Sequence, residues 1–432
     1  MNMNSYSELS KTIPVVAQTD VIVCGGGPAG VAAAITSGRT GARTILLEGQ
    51  GCLGGVWTSG LLSWIIDAGG KRGIMEEIIA RLDRRGARIP SLGEDFTYDS
   101  EEMKLVLEQM CEEAGVAIML HTHVVHAAVN DAGRLSLVVT ESKSGRQAWS
   151  ASMFIDTTGD GDLAAQSGCR FELGREGTGE TQPMSLMALV AGIDPEEVKA
   201  CTMNGIREEP KHLLLEQMVM AGVIPSYSGP SLFHIRDQLF ALMANHEYGA
   251  VATDARQVSS ATLQARKELH HIVDALRASG GVWRGLYIVS TANQIGIREG
   301  RRIYGRYMVT AADLQAGKEH LDAVCRVRYG IDIHSTNPEQ GKGFGDDGKG
   351  SRPYDIPLRA LIAADVDGLL MAGRCISGDF IAHSSYRVTG NAVAMGQAAG
   401  ATAALCALSD TLPQDMEWNR IDNALAKMEE FI

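Results

Sequence analysis

The chain has 432 residues, of which 45% are apolar and 21% charged, and its formal net charge is -13. This length exceeds what one small hydrophobic core supports, so we expect two domains. The acidic balance argues against nucleic acid as a partner. No unbroken run of about eighteen apolar residues occurs, so we expect no membrane partner either.

The eight cysteines are dispersed, and none belongs to a Cys-x-x-Cys pair. This spacing argues against iron–sulfur clusters, zinc ribbons and a dithiol centre, so no metal is expected. Dispersed thiols are typical of a reducing compartment. Residues 1–18 are polar and lack the basic start and long apolar stretch of a signal peptide. The sequence therefore predicts a cytoplasmic location.

The first strong motif begins at Asp20, where an apolar run leads into Gly25-Gly-Gly-Pro-Ala-Gly30 and then into a helix-forming segment. A second apolar run, residues 43–48, ends on Glu48. Strand, glycine turn, helix and a later acid in this order form the dinucleotide fingerprint of a Rossmann fold. Glu48 is expected to accept hydrogen bonds from an adenosine ribose.

The residues of this turn have separate predicted roles. Gly25 permits the tight turn, Gly27 lets the backbone approach a pyrophosphate, and Gly30 lets the helix pack on the strand. Pro28 and Ala29 open the helix, whose N-terminus is expected to face the phosphates. All five residues are therefore predicted to bind the cofactor.

A glycine-rich loop follows, and Gly54 and Gly55 within it are predicted to continue along the same cofactor. Segment 99–114 has apolar residues at helical spacing. Three strand-like runs come next, 124–129, 135–140 and 148–155, and their turns predict a small β-meander. Val125 in the first run is a further predicted cofactor contact.

The meander leads to Asp156-Thr-Thr-Gly159-Asp160, a strand that ends in glycines and acids. Asp156, Gly159 and Asp160 are predicted to contact the cofactor. The following residues, 170–350, carry no second Gly-x-Gly-x-x-Gly and mix strand-like runs with helical ones such as 255–278. We expect a surface loop at residues 341–350, as either a mobile lid or a solvated loop without function.

The C-terminal part returns to the nucleotide-binding pattern. An apolar run from 366 leads into a glycine turn at Gly373 and Arg374, and a helix of small residues begins at Gly390, Asn391 and Ala392. Small residues permit close approach, so these five residues complete the predicted cofactor site.

Taken together, the chain resembles the large FAD-dependent oxidoreductase family, which has the glutathione-reductase-type flavin fold. The resemblance extends over nearly the whole chain and rests on the glycine turn with Glu48 and on the segments 53–55, 155–162, 295–302, 354–357, 372–377, 387–388 and 396–400. It implies FAD as cofactor and an α/β fold. That fold has a Rossmann-like FAD-binding domain, with a parallel sheet plus a small β-meander, and an interleaved α+β substrate domain.

On this basis the FAD-binding domain is predicted in three parts, 19–60, 99–169 and 351–432. The substrate domain is predicted at 170–350. Residues 61–98 either belong to the substrate domain or link the two.

The resemblance also implies an oxidoreductase, a dehydrogenase or oxidase that transfers a hydride between a small organic substrate and flavin. With one dinucleotide fingerprint, the chain lacks the NAD(P)H domain of disulfide reductases, so the electron acceptor is open among oxygen, a quinone and a carrier protein. A homo-oligomer is compatible with the sequence. Two alternatives remain: a flavin-binding protein without turnover, and an NAD-binding enzyme similar to thiazole synthase.

Three side chains are candidates for catalysis. His383 and Arg387 lie between the last glycine turn and the C-terminal helix, so we expect them to pass close to the flavin. His383 titrates in the range of a general base, and Arg387 is suited to hold a carboxylate or the anionic flavin. Arg298 is a further candidate for the same pocket. A purely structural role for His383 and Arg387 stays open.

Overall fold

The computed structural model describes residues 10–91, 94–205 and 208–432. Residues 1–9, which form part of the predicted cytoplasmic N-terminus, lie outside the described residues, as do short gaps within the predicted segments 61–98 and 170–350. The α-helices are α1 (Pro28–Arg39), α2 (Ile74–Arg84), α3 (Ser100–Glu113), α4 (Asp162–Gln166), α5 (Glu209–Met220), α6 (Ala255–Ser279), α7 (Ala311–Ala316), α8 (Phe380–Tyr386), α9 (Thr389–Ser409) and α10 (Trp418–Ala426).

The strands of the first half are β1 (Val15–Cys24), β2 (Thr44–Leu47), β3 (Trp64–Ile65), β4 (Arg88–Pro90), β5 (Phe96–Tyr98), β6 (Ala117–Met119), β7 (His123–Val129), β8 (Leu135–Ser142), β9 (Gly145–Asp156) and β10 (Phe171–Glu172). Those of the second half are β11 (Met187–Ala191), β12 (Ser231–Arg236), β13 (Leu239–Met243), β14 (Tyr287–Thr291), β15 (Arg302–Ile303), β16 (Ala323–Val327), β17 (Ile333–His334), β18 (Phe344–Gly345), β19 (Tyr354–Pro357) and β20 (Leu369–Met371).

A mixed sheet forms the centre of the first domain. Strand β1 pairs in parallel with β2 and β9, β6 extends the sheet beyond β2, and β20 lies parallel to β9. The first half of β9 pairs instead with β8, which pairs with β7, so these three strands form an antiparallel meander. The end of β1 is fully buried, as its continuous apolar run predicts for a central parallel strand. The predicted α/β fold with a β-meander is confirmed.

Helices α1 and α9 pack side by side against this sheet. A Cβ at Gly396 would lie 2.0 Å from the carbonyl oxygen of Ala29, and one at Gly400 would lie 2.2 Å from that of Ala33. Glycine is therefore needed at both positions, because the two helix backbones are in direct contact.

Helix α9 is also long and apolar enough to cross a membrane by length and composition, with a mean hydropathy of 1.4 over its window. Helix α9 is not an unbroken apolar run in the sequence, because glycines and threonines interrupt its apolar residues. However, 72% of that window is buried inside the fold. Burial of this extent is typical of a core helix.

The second domain is built on the antiparallel sheet β12-β13-β11-β14. Helix α6 packs on it through one buried face and begins at Asp254, whose side chain accepts the N–H groups of Arg256 and Gln257. Its hydrophobic core comes from residues 184–295 together with Leu61 and Trp64.

The packing divides the chain differently from the prediction in one place and chooses between two alternatives in another. Residues 303–327, placed in the substrate domain by the sequence, contribute Ile303, Val309 and Val327 to the core of the first domain. The boundary therefore lies well before residue 350. Segment 61–98 contributes to both cores, with Phe96 in the first and Trp64 in the second, so it links the two domains.

The glycine-rich segment 341–350 is mostly exposed, but several contacts anchor it, among them a backbone hydrogen bond from Ser228 to Lys342 and an ion pair between Arg175 and Asp347. Strand β18 within it pairs with β17, and the ring of Phe344 lies 5.6 Å from that of His334. The segment thus covers one side of β17, which becomes relevant because His334 belongs to the candidate site.

Candidate functional site

A cavity of about 460 Å³ lies between the two domains. Its lining includes residues at the carboxyl ends of four strands of the first sheet, namely Gly25, Glu48, Thr157 and Ala372. Ligands of open α/β sheets bind at this edge. Side chains of the second domain, among them Ser185, Met187, Phe233 and Met243, close the opposite side.

The glycines of the turn after β1 have two different roles. Gly25 and Gly30 are needed by the fold, whereas Gly27 leaves space for a ligand. Gly25 has φ +100°, and a Cβ on Gly30 would lie 1.8 Å from the carbonyl oxygen of Gly25, so the fold itself needs both glycines. Gly27 differs, because its φ of −71° and ψ of −173° suit any residue and a Cβ there would meet no atom within 4 Å. Gly27 lines the cavity, so its missing side chain leaves room only for a bound group.

Two helices begin at this cavity. Helix α1 has no side-chain cap and no acidic residue in its first turn, and its residues Pro28 and Ala29 line the cavity. Helix α9 likewise lacks a side-chain cap, and its start at Thr389 and Ala392 faces the same space. Free backbone N–H groups at helix N-termini favour anionic groups. The cavity thus fits a dinucleotide with a pyrophosphate.

Glu48 follows β2 and lines the same end of the cavity. Its carboxylate accepts the backbone N–H groups of Gly26 and Gln50, and the Gln50 bond is 2.7 Å long. These bonds hold the carboxylate beside the glycine turn, while its remaining lone pairs are available for ribose hydroxyls.

Other predicted cofactor residues also reach the cavity. Gly55, Gly159, Gly373 and Arg374 are in its lining. Gly54 lies behind it and donates its N–H to the carbonyl oxygen of Gly26 at 2.8 Å, which ties the loop to the glycine turn.

Three predicted cofactor residues lie behind the lining. Val125 is outside the lining, where the preceding residues His123 and Val124 lie instead. Asp156 is fully buried and accepts N–H groups of Thr158 and Ala164, and burial raises its pKa to about 6. Asp160 forms an ion pair of 3.0 Å with Arg374 and so positions a lining residue.

Gly390 and Asn391 are also outside the lining. A Cβ on Gly390 would lie 2.2 Å from the carbonyl oxygen of Asp67, so this glycine serves backbone packing. Asn391 is fully buried, and its Oδ1 accepts the thiol of Cys325 at 3.3 Å. Its Nδ2 has no partner among the described residues.

The other end of the cavity carries two of the three catalytic candidates. Nη1 of Arg298 donates to the carbonyl oxygen of Pro183 at 2.7 Å and to Oγ of Ser185 at 2.8 Å. Nη2 of Arg387 donates to the carbonyl oxygen of Asp332 at 3.0 Å and to its Oδ2 at 3.1 Å. Burial and the charge of Arg387 lower the pKa of Arg298 to about 10, so both arginines are cationic at neutral pH.

His383 lies elsewhere. It is fully buried, is not in the cavity lining, and has no well-formed hydrogen bond to a described residue at either ring nitrogen. Burial and the charges of Arg302, Arg387 and Arg374 hold its pKa well below its usual range, although a backbone group of Arg374 acts in the opposite direction. A base needs access to the substrate, so this placement does not support the predicted role.

Sequence reasoning missed Asp332 and His334, which line the cavity beside the two arginines. They lie in a segment without periodicity, next to the predicted surface loop. No local pattern signals them, because the fold brings them to the arginines from distant parts of the chain.

This geometry defines the class as a nucleotide-binding protein of Rossmann type with a second, substrate-facing domain. The model of the FAD dependent oxidoreductase family matches residues 20–425, so the chain belongs to that family and its cofactor is FAD. The match favours FAD over the NAD-binding alternative. Bound FAD supplies the acceptor or donor of a hydride.

Several solved structures are similar to the chain, and the first described has the same fold. A geranylgeranyl bacteriochlorophyll reductase-like protein from Thermoplasma acidophilum matches with a TM-score of 0.51 and 13% identity, covering 96% of this chain and 83% of its own. A flavin-dependent brominase matches with a TM-score of 0.48 and 11% identity, covering 96% and 84%. The p-nitrophenol 4-monooxygenase of Pseudomonas putida DLL-E4 matches with a TM-score of 0.47 and 11% identity, and the match covers 96% of this chain and 85% of the monooxygenase. No curated protein matches the chain in sequence.

Replacing Glu48 should weaken FAD binding. We expect Glu48→Ala to cost about 1.5–3 kcal/mol, roughly 10- to 150-fold in Kd, because charge-assisted hydrogen bonds to the ribose are lost. Glu48→Gln keeps an acceptor oxygen and should lose less. Fluorescence titration of the apoproteins with FAD measures both constants, and an unchanged Kd for Glu48→Ala would contradict the assignment.

His383 should make the protein less stable in acid. Because its folded pKa is depressed, the unfolded chain alone takes up this proton below about pH 6.5, which costs about 1.4 kcal/mol per pH unit. Between pH 6.5 and 5.0 the unfolding free energy of His383→Leu should therefore fall by about 2 kcal/mol less than that of the wild type. Urea unfolding at the two pH values measures the difference. The exposed His270→Gln should behave like the wild type, and equal losses in all three proteins would refute the prediction.

Proposed function

We propose that the protein oxidises a small organic acid, by transfer of a hydride from a C–H bond to FAD, and that Arg298 and Arg387 hold the acid's carboxylate. The observation that carries this proposal is the pair of cationic guanidinium groups in the cavity that also holds the nucleotide-binding turn. Dehydrogenase and oxidase are both compatible with it, since they differ in the electron acceptor.

The charges at this end of the cavity favour an anion. Arg298 and Arg387 face one carboxylate, Asp332, so positive charge is in excess. Guanidinium groups in the wall of an enclosed cavity bind carboxylates strongly, because the hydrogen bonds are charge-assisted.

The protein's own groups have distinct tasks in this proposal. Asp332 orients Arg387 through two hydrogen bonds, and Ser185 orients Arg298. Apolar side chains also line the cavity. Among them, the rings of Trp64 and Phe233 stack with their centroids 5.3 Å apart, and they exclude water from the organic part of the substrate. The substrate is therefore fixed at its charged end and enclosed at its reacting end.

An anaerobic screen tests the proposal. The holoprotein is mixed with 2-hydroxy acids, amino acids and dicarboxylic acids, each beside its neutral amide or alcohol, and flavin absorbance is followed. We expect bleaching by one class of acids and not by its neutral counterpart. Equal bleaching by neutral compounds would refute the carboxylate site. If dithionite reduces the flavin but no compound does, the alternative of a flavin-binding protein without turnover is favoured.

A further inference from the structure

A series of polar contacts leads from the cavity into the second domain. Nε2 of His334 lies 3.4 Å from Oδ2 of Asp332, and its Nδ1 lies 3.0 Å from Nε2 of His246. Nδ1 of His246 lies 3.3 Å from the hydroxyl of Tyr248, which donates to the carbonyl oxygen of Ser226 at 3.1 Å. The series ends on a group that can only accept a hydrogen bond.

This last acceptor determines which ring nitrogen of each histidine carries a proton. Because the Tyr248 hydroxyl donates to Ser226, it accepts from Nδ1–H of His246, whose Nε2 then accepts from Nδ1–H of His334. Nε2 of neutral His334 is therefore unprotonated. Its distance of 3.4 Å from Asp332 is longer than a charge-assisted hydrogen bond and agrees with two acceptors that face each other.

The surroundings hold both histidines in place. The ring of Tyr227 stacks on His246 with centroids 4.0 Å apart, and His246 is 2% exposed. His334 is 5% exposed and faces the cavity. Its unprotonated Nε2 and the Asp332 carboxylate thus lie on one side of the cavity, where a proton between them would be shared.

The charges around His334 oppose its protonation before a ligand binds. Burial and Arg298 lower the pKa of His334 to about 4, Arg387 acts in the same direction, and Asp332 acts against them. Despite the burial of Asp332, the charges of Arg387 and Arg298 lower its pKa, and an imidazolium at His334 would lower it further. Neighbouring His246 is also neutral, because burial and Arg298 lower its pKa. An anion on the two arginines would cancel the charge that opposes an imidazolium.

We propose that His334 is the base that accepts the substrate's proton, and that the substrate carboxylate activates it by neutralising Arg298 and Arg387. The inference rests on the proposed function. As the C–H bond gives up its hydride to FAD, the electrons of the adjacent O–H or N–H bond form the new C=O or C=N bond. The proton goes to Nε2 of His334, where Asp332 stabilises it. His246 and Tyr248 are positioning residues that keep this nitrogen unprotonated beforehand.

Calorimetry with oxalate tests the coupling without turnover, because oxalate has no C–H bond to oxidise. Oxalate is titrated into oxidised holoprotein at pH 6 in two buffers of different ionisation enthalpy, and the difference in heat gives the protons taken up. We expect about one proton per oxalate for the wild type and almost none for His334→Asn. The exposed His270→Asn is the matched control and should take up as many protons as the wild type.

The outcomes separate the two proposals. Binding of oxalate without proton uptake in the wild type, or equal uptake by His334→Asn, would overturn the role of His334 and leave the carboxylate site standing. A failure of oxalate to bind would overturn both.

A second measurement addresses the positioning residues. In the ¹⁵N spectrum of histidine-labelled holoprotein, His334 should be the Nδ1–H tautomer. In Tyr248→Phe, His246 loses its acceptor, so His334 should populate both tautomers. An Nε2–H tautomer in the wild type would overturn the proposal. With a substrate from the screen, His334→Asn should also lower the rate of flavin reduction by roughly 10²–10⁴-fold while FAD stays bound.

Discussion

Gly27→Val should abolish FAD binding and leave the fold intact. The backbone of Gly27 is extended, as valine prefers, and a Cβ there has no neighbour within 4 Å, so the apoprotein accommodates the side chain. The same side chain enters the space left for the pyrophosphate beside the start of α1. We expect the Kd for FAD to rise by at least about 10³-fold, which corresponds to ~4 kcal/mol.

Gly30→Ala is the matched contrast. Its Cβ would lie 1.8 Å from the carbonyl oxygen of Gly25, so this change should destabilise the apoprotein itself. Thermal unfolding of the apoproteins and titration with FAD distinguish the two kinds of damage. A Gly27→Val protein that binds FAD as tightly as the wild type would show that the pyrophosphate does not approach this turn.

Arg298→Met should raise the KM for the acidic substrate by roughly 10²–10³-fold, while FAD stays bound. This magnitude corresponds to about 3–4 kcal/mol for a lost charged hydrogen-bonding partner in an enclosed site. Arg298 is a better site than Arg387 for this test, because its guanidinium pairs with Pro183 and Ser185 and no carboxylate is left unpaired. Since Arg298 lowers the pKa of His334, the variant should also show a higher pKa for the base.

Steady-state kinetics across pH measures both effects. The exposed Arg284→Met should match the wild type in KM and in pH profile. An unchanged KM in Arg298→Met would exclude this arginine from substrate binding. A changed KM with an unchanged pH profile would retain the carboxylate site and separate it from the base.

The nucleotide half of the site is predictable because its signals are local. Strand β1, the glycine turn and α1 follow one another within twenty-five residues of sequence, 15–39, and their order alone indicates the fold. The meander and α6 were likewise found at nearly the observed bounds. Val125 shows the limit, because the pattern predicts the strand and does not tell which of its residues reaches the cavity.

The substrate half is not predictable in this way. Its polar groups come from separate loops around 182–185, 246, 298, 332–334 and 387, and no periodicity connects them. His383 was chosen because its segment lies between the last glycine turn and α9, yet α8 buries its side chain against Tyr386. Its proposed role as a base stays a prediction, whereas His334, distant in sequence, reaches the cavity.

The direct backbone contact between α1 and α9 has a consequence for the order of folding. Residues at the two ends of this contact, Ala29 and Gly396, are separated by most of the chain, and contacts of such long range form slowly. During synthesis the surface of α1 and β1 that α9 covers stays exposed until the C-terminal part of the chain is made, and exposed apolar surface of this kind promotes aggregation. FAD binds a cavity whose wall includes Thr389 and Ala392, so it can stabilise only a molecule in which α9 has already docked. Supply of the flavin should therefore raise the yield of soluble protein in cells, and a flavin-starved host should lose a larger share of the chains to degradation or aggregation.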